Sequence, residues 1–291
     1  MASSRSGVRR ALAGIAALAA AVATLTGCAP TASTEAPDGV RVSVYQPRPD
    51  VPKNRMAIQV HNDGDEPITI TSAELHSSFF TDDMVWGPDR TSTVAPGYAV
   101  DLRVDLPTEA DCSGAEPQLT ATFGWTVGDS SGTAVVEPED PFHLLDLLHD
   151  AACLIGSVDE VAKLTAVSLD APAQLPAPAE LVISVEATGA EGTVTLDTIH
   201  STTLLNPAGP DGVGVAELDL GIVIDKDGPA EVRIPIVPNR CDAHALAEDK
   251  VGTRMPLYVT APDGSSGRLV LSATDELRSQ MYAFYSSFCS L

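Results

Sequence analysis

Ala57-Ile58-Gln59-Val60-His61-Asn62-Asp63-Gly64-Asp65-Glu66-Pro67-Ile68-Thr69-Ile70-Thr71-Ser72-Ala73-Glu74-Leu75 decides the fold class of this chain. Residues 57–62 and 68–75 alternate apolar and polar side chains, the period-two pattern of a strand with one buried face. The cluster His61–Pro67 between them is rich in residue types that turn a backbone, so the stretch predicts two strands and a tight connection.

The same pattern extends in both directions. Residues 99–106 read as a half-buried strand, and 118–127 and 133–136 as two more about the turn Gly128-Asp129-Ser130-Ser131-Gly132. Further on, 181–187, 193–199, 215–224, 230–237, 255–260 and 268–272 repeat the rhythm. Short strands at regular spacing with polar turns predict a mainly β chain of antiparallel sandwiches.

The chain says the same thing twice, at a spacing that grows from about 125 to 136 residues. Val42-Ser43-Val44 returns as Val167-Ser168-Leu169, and Ile58-Gln59-Val60 as Ile183-Ser184-Val185. Thr69-Ile70 with His76-Ser77-Ser78 returns as Thr195-Leu196 with His200-Ser201-Thr202. Leu102-Arg103-Val104 returns as Val232-Arg233-Ile234, Cys112 as Cys241, Ser130-Ser131-Gly132 as Ser265-Ser266-Gly267, and Cys153 as Cys289. The conserved order of the matches points to a duplicated unit.

Each copy ends in an expected helix. Asp140-Pro141 opens one, with Phe142, Leu145, Leu148 and Ala152 at helical spacing. Asp275-Glu276 opens the other, with Leu277, Met281, Phe284 and Phe288 on one face. Both helices are read as ending at a cysteine. Four cysteines allow three pairings, and this placement favours Cys112–Cys153 and Cys241–Cys289, each tying an end helix to the loop after a strand.

The amino-terminal region has a different character. Residues 1–10 carry Arg5, Arg9 and Arg10 and no acid, and Ala11–Leu25 is an almost unbroken small-apolar run. This is the layout of a secretory signal peptide, and its 15 residues fall short of the about 20 that span a bilayer. The ending Leu25-Thr26-Gly27-Cys28 resembles the lipobox of bacterial lipoproteins. That resemblance implies cleavage before Cys28, a covalent diacylglyceryl lipid (with palmitate-type chains) on its thiol, and a location on the extracytoplasmic side of the cell membrane.

The first copy also resembles bacterial Ig-like sandwich modules, through Ile58-x-Val60-x-Asn62, Pro67-Ile68-Thr69-Ile70 and Val94-Ala95-Pro96-Gly97. The second copy departs from them: Gly189 falls near the Asn position and Asp227-Gly228-Pro229 replaces Ala95-Pro96-Gly97. This resemblance implies a sandwich with a binding or spacer role and brings no catalytic residue. The expected organisation is therefore a signal peptide over 1–27, a tether over 28–39, an Ig-like sandwich over 40–156, a linker over 157–162 and a second sandwich over 163–291.

Loss of residues 1–27 leaves 14 basic and 40 acidic side chains, a net charge of −26. Nucleic-acid binding, which needs cationic surface to displace phosphate counterions, is not expected. Neither is docking on anionic lipid through a basic patch. The acids are spread along the chain and read as a solvated, self-repelling surface.

Arg240, Asp242, His244 and Glu248 form the densest polar cluster, in Pro238–Thr253. Asp242 is read as the cap of a short helix that Gly252 stops, with His244 and Glu248 as i,i+4 neighbours. They are the candidate ligand-binding residues, although two or three side chains on one turn do not close a metal site. A capped loop pinned by the Cys241 disulfide is the competing reading.

His143 and His149 are six residues apart, about 240° around a helix, which argues against a shared metal. Asp63-x-Asp65-Glu66 and Asp225-x-Asp227-Gly228-x-x-Glu231 lack the full calcium-loop pattern. Trp86, Trp125 and Tyr98 are scattered singly, and a glycan face is not read from them. No nucleophile elbow, Ser-x-x-Lys, zinc-protease or phosphate-loop motif is read either. No catalytic residue, metal or cofactor is assigned, and the lipid on Cys28 is the one covalent group expected.

These readings predict a lipid-anchored, non-enzymatic binding or scaffolding module of the cell envelope, facing an envelope protein or cell-wall polymer. The alternative is an envelope enzyme or solute receptor with its site at the domain interface near His244.

Overall fold

In the computed structural model, which describes residues 35–87, 89–114, 117–249, 251–271 and 273–291, the stretch around His61–Pro67 folds as β2 (Arg55–Asn62) and β3 (Ile68–Ser77). The expected leader over 1–27, Cys28 and the tether up to residue 34 lie outside the described residues. β2 and β3 do not pair. β2 joins β1 (Val40–Tyr45) and β6 (Tyr98–Asp105), whereas β3 joins β4 (Met84–Trp86), β5 (Ser92–Val94) and β7 (Leu119–Val127). The connection thus crosses from one sheet to the other, with β8 (Ser130–Val136) completing the second sheet beyond β7.

Asn62 explains how so short a segment makes that crossing. It is buried, its Nδ2 donates to Glu66 O at 2.8 Å and Val94 O at 2.9 Å, and its Oδ1 accepts from Gly64 N at 3.1 Å. Gly64 is needed for close approach, since a Cβ there would stand 2.9 Å from Asp38 O. Asn62→Ala leaves three backbone groups without these partners, and is expected to cost about 2 kcal/mol in a urea-unfolding midpoint. A change within error would mean that water replaces the side chain.

Facing side chains of the two sheets, among them Ile58, Ile70, Leu75, Leu102 and Phe123, are each no more than 2% exposed and form the first core. The second sandwich has the same layers. One sheet orders β12 (Leu205–Pro207), β14 (Glu231–Pro238), β10 (Ala179–Ala187) and β9 (Ala162–Asp170). The other orders β13 (Glu217–Ile224), β11 (Val194–His200), β15 (Met255–Thr260) and β16 (Ser266–Leu271). Neighbouring strands are antiparallel in all four sheets. The short strands β4, β5 and β12 were not anticipated, because three residues carry no measurable period.

The duplication is visible in the ladders. Ile58 faces Leu102 as Ile183 faces Val232, and Ser131 faces Thr126 as Ser266 faces Thr260. A register shift lies between Ile70 and Ser72 against β7, and an equivalent one between Leu196 and Thr198 against β15. Two of the sequence matches slip. Val60 faces Val42 but Val185 faces Leu164 instead of Val167, a slip of which the register shift at Val182/Ile183 accounts for one residue. His200 occupies the place of Glu74, not of His76, since Ile199 faces Leu257 as Ala73 faces Phe123.

The helices correct one expectation. α1 (Leu144–Val161) does not end at Cys153 but runs eight residues further and passes directly into β9. Residues 157–161, expected as linker, are its last turns, and Ala162 is already strand. It starts after Pro141, because the Asp140 carboxylate reaches past the intervening turn to accept from Leu144 N at 2.8 Å and Leu145 N at 3.0 Å. Leu145 packs in the first core, whereas Leu154, Val158 and Val161 pack in the second. One helix therefore serves both sandwiches.

α3 (Asp275–Cys289) is capped by Thr274 and buries Leu277, Met281, Phe284 and Tyr285. Both disulfides are present, Cys112–Cys153 with Cα atoms 5.7 Å apart and Cys241–Cys289 at 5.2 Å. Among the described residues no helix is long and apolar enough to cross a membrane.

Candidate functional site

The Cys241 loop is built as a capped turn. The Asp242 carboxylate accepts from His244 N at 2.9 Å and Ala245 N at 3.4 Å, starting the five-residue helix α2 (Ala243–Ala247). That helix ends at Glu248, ahead of Gly252. The fully buried Tyr285 of α3 pins the loop: its hydroxyl donates to Arg240 O, and accepts from Asp242 N at 3.1 Å. Of the four candidate side chains, Arg240 and Asp242 approach to 3.7 Å. His244 and Glu248 are exposed and share a backbone hydrogen bond, Glu248 N to His244 O at 3.0 Å.

Arg240 faces a cleft of about 760 Å³ that His244 does not line. The floor is the outer face of the β15–β16 hairpin. Met255, Leu257, Leu269 and Leu271 are buried in the core, so the alternation turns Arg254, Pro256, Arg268 and Val270 outward. Pro256 faces Val270 across the ladder, which brings Arg254 and Arg268 to one surface. One wall is Ser201, Thr202 and Thr203 after β11, and another is Asn239 and Arg240 after β14. Val51, from the first sandwich, also lines the cleft.

Val51 is held there by a buried ion cluster. Asp50 is 3% exposed, and its carboxylate meets Arg55 Nη2 at 2.7 Å and Arg103 Nε at 2.5 Å. Burial alone would raise the Asp50 pKa, but the two guanidiniums outweigh it and hold the carboxyl below its ordinary value. Arg103 also meets Asp101 at 3.0 Å, and Asp101 accepts from Tyr45 and Gln59, each at 2.7 Å. Burial and then Asp101 push the Tyr45 hydroxyl up to about 12.

The cleft arginines contrast with this cluster. Among the described residues, neither Arg254 nor Arg268 has a carboxylate or other acceptor within hydrogen-bond reach. Burial, then the charges of Arg278 and Arg268, push the Arg254 pKa below the ordinary arginine value. The nearby Asp249 is occupied: it accepts from Gly252 N at 2.6 Å, Val251 N at 3.3 Å and the Tyr282 hydroxyl at 2.9 Å. Arg254 and Arg268 were missed in the sequence, although the alternation at 254–258 and 266–271 marks both as outward-facing.

Other clusters assemble no catalytic arrangement among the described residues. Cys112, His149 and Cys153 lie within 4.8 Å of one another, but the two sulfurs are bonded together and offer no thiolate. Asp63 pairs with Arg41 at 2.8 Å, and Asp225 accepts from Asp227 N at 2.9 Å within a turn. Trp86 and Trp125 are buried in the core, while Tyr98 is exposed at the start of β6.

Gly128-Asp129-Ser130-Ser131-Gly132 does match the letters of a nucleophile elbow, contrary to the expectation that the chain has none. It forms the β7–β8 hairpin, however, rather than a strand-to-helix turn. Hydroxyl–imidazole pairs occur at Ser43–His61 (3.3 Å) and Thr198–His200 (3.1 Å). Glu217 approaches the same His200 nitrogen that meets Thr198, whereas a triad acid holds the opposite one.

No protein-family model matches the chain, and no curated protein does either. Among solved structures it is similar to the YadV chaperone, at 10% identity over 80% of this chain and 100% of that chain, with a TM-score of 0.19. Red sea bream transglutaminase is similar at 9% identity, 81% of this chain and 32% of that chain, with a TM-score of 0.22. The CsuC–CsuE chaperone–tip adhesion subunit complex of Acinetobacter baumannii gives 9% identity, 76% and 93% coverage, and a TM-score of 0.19. At such scores these likenesses carry no argument. The description as two antiparallel β-sandwiches rests on the strand pairing itself.

Proposed function

We propose that this chain is a non-enzymatic binding module of the cell envelope, anchored by a diacylglyceryl lipid on Cys28 and facing the extracytoplasmic side. It takes its ligand in the cleft between the sandwiches. The cleft carries this reading: convergent polar groups line a volume within the roughly 300–1,000 Å³ range of ligand sites. Arg240, one of the four candidate residues, lines the cleft, whereas the alternative reading expected an interface site near His244, which does not line it. Two disulfides suit an oxidising compartment outside the cytoplasm. A helix shared by both cores suits a rigid receptor better than a pair of independent spacers.

Two measurements test the reading. Cys28→Ala is expected to abolish incorporation of a palmitate analogue and to move the protein out of the membrane fraction. Retained labelling and membrane association would contradict the anchor. A thermal-shift screen of the full chain against envelope metabolites and soluble cell-wall fragments is expected to give hits that Val270→Trp, which fills the cleft, removes. Hits that survive Val270→Trp would place binding elsewhere.

A further inference from the structure

We propose that the cleft is an oxyanion site, in which Arg254 and Arg268 bind a phosphate or carboxylate group of a small amphipathic ligand and Arg240 closes the rim. The proposal rests on the binding role above and names the chemistry of its ligand. Acids outnumber bases 40 to 17 in this chain, yet among the described residues the cleft lining contains three arginines and no acid. Elsewhere arginines find carboxylates readily: Arg41, Arg55, Arg103 and Arg233 each pair with an acid at 3.0 Å or less. Leaving Arg254 and Arg268 unpaired on one surface disfavours the empty state through mutual repulsion, and an anion relieves that repulsion.

The residue type specifies the ligand further. A guanidinium presents a planar fork of donors that matches carboxylate and phosphate oxygens bidentately, which an ammonium does not. Two guanidiniums on one face, diagonal across the Pro256–Val270 pair, favour a group carrying more than one negative charge. Val51, Pro256 and Val270 add apolar wall beside them, so the remainder of the ligand is apolar rather than a second charged end. The acidic exterior repels anions in general, so the site depends on short-range contacts and on the size of the cleft.

The test uses the full mature chain in neutral detergent at low ionic strength. Inorganic phosphate and citrate serve as probes, with chloride at matched ionic strength as the control. Titration calorimetry is expected to give saturable binding of phosphate, citrate or both. Phosphate alone would identify a phosphate ester as the ligand's headgroup, citrate alone a carboxylate headgroup, and both an unselective oxyanion site. Arg254→Gln and Arg268→Gln are each expected to weaken the constant by about tenfold or more, whereas Arg233→Gln, outside the cleft, leaves it unchanged.

A folding defect is distinguishable from a binding defect. Removing Arg254 relieves repulsion, so Arg254→Gln is expected to keep or raise the melting temperature of the ligand-free protein while losing the rise that the anion produces. The absence of saturable binding to either probe in the native chain overturns the proposal, as does full affinity in both glutamine variants. The wider binding reading would still stand if the metabolite screen gave hits sensitive to Val270→Trp.

Discussion

Replacing Cys241 and Cys289 together by alanine is expected to destabilise the protein by about 4 kcal/mol, read as a shift in the denaturant midpoint. The bond closes a sequence separation of 48 residues, and in the chain-entropy model a loop of that size loses roughly this much freedom when cross-linked in the unfolded state. The effect will not be confined to the unfolded chain. Cys241 follows Arg240 directly, and the loop it anchors is pinned by Tyr285 from α3, four residues before Cys289. The double variant is therefore expected to increase hydrogen exchange in α2 and at Arg240 before the sandwich strands are affected. A midpoint loss below about 1 kcal/mol would mean that the packing of Leu277, Met281 and Phe284 already fixes α3 without the bond.

Asp50→Asn is the second large effect, at about 3 kcal/mol. The neutral amide keeps the shape but presents no charge to the half-buried Arg55 and Arg103, which both lose their shared buried carboxylate. Arg103 retains Asp101 at 3.0 Å, so the loss falls mainly on Arg55 and on the turn Val51–Lys53. That turn carries the cleft wall, and the variant is also expected to weaken ligand binding through Val51.

The pH dependence has a definite sign. The folded Asp50 pKa lies below its unfolded value, so its contribution is fully present above about pH 4 and is lost as the pH falls through the folded pKa. The native protein should lose stability on that acid limb, and Asp50→Asn should flatten it. An unchanged acid limb in the variant would assign the acid sensitivity to other carboxylates, Asp101 first, whose pKa is also held down by its hydrogen bonds and Arg103 against the effect of burial.

Much of this architecture was legible in the sequence because it depends on local period. The alternation of β2, β3, β6 and β10 and the spacing of Leu277, Met281 and Phe284 in α3 are one-dimensional signals. α1 was legible only in part: Leu154, Val158 and Val161 continue the apolar face, but Cys153 drew attention as an end point. The His76–His200 match failed for a different reason. The pairing of each strand decides which residues are equivalent, and two histidines near strand ends can match in type without sharing a ladder position.

The cleft shows the same limit from the side of function. Arg240 is legible because it stands in a polar cluster beside a cysteine. Arg254 and Arg268 are separated by a hairpin and draw no attention singly; pairing of β15 with β16 and the approach of Val51 make them one site. His244 and Glu248 are in the right neighbourhood, but α2 turns them to solvent.

The measurement that tests the account most directly is NMR titration of the full chain with phosphate and citrate, following the arginine side-chain Nε–H signals. The account predicts saturable shifts at Arg254 and Arg268, smaller ones at Arg240, and none at Arg41 or Arg233. Uniform small shifts across all arginines, or none at Arg254 and Arg268, would contradict it.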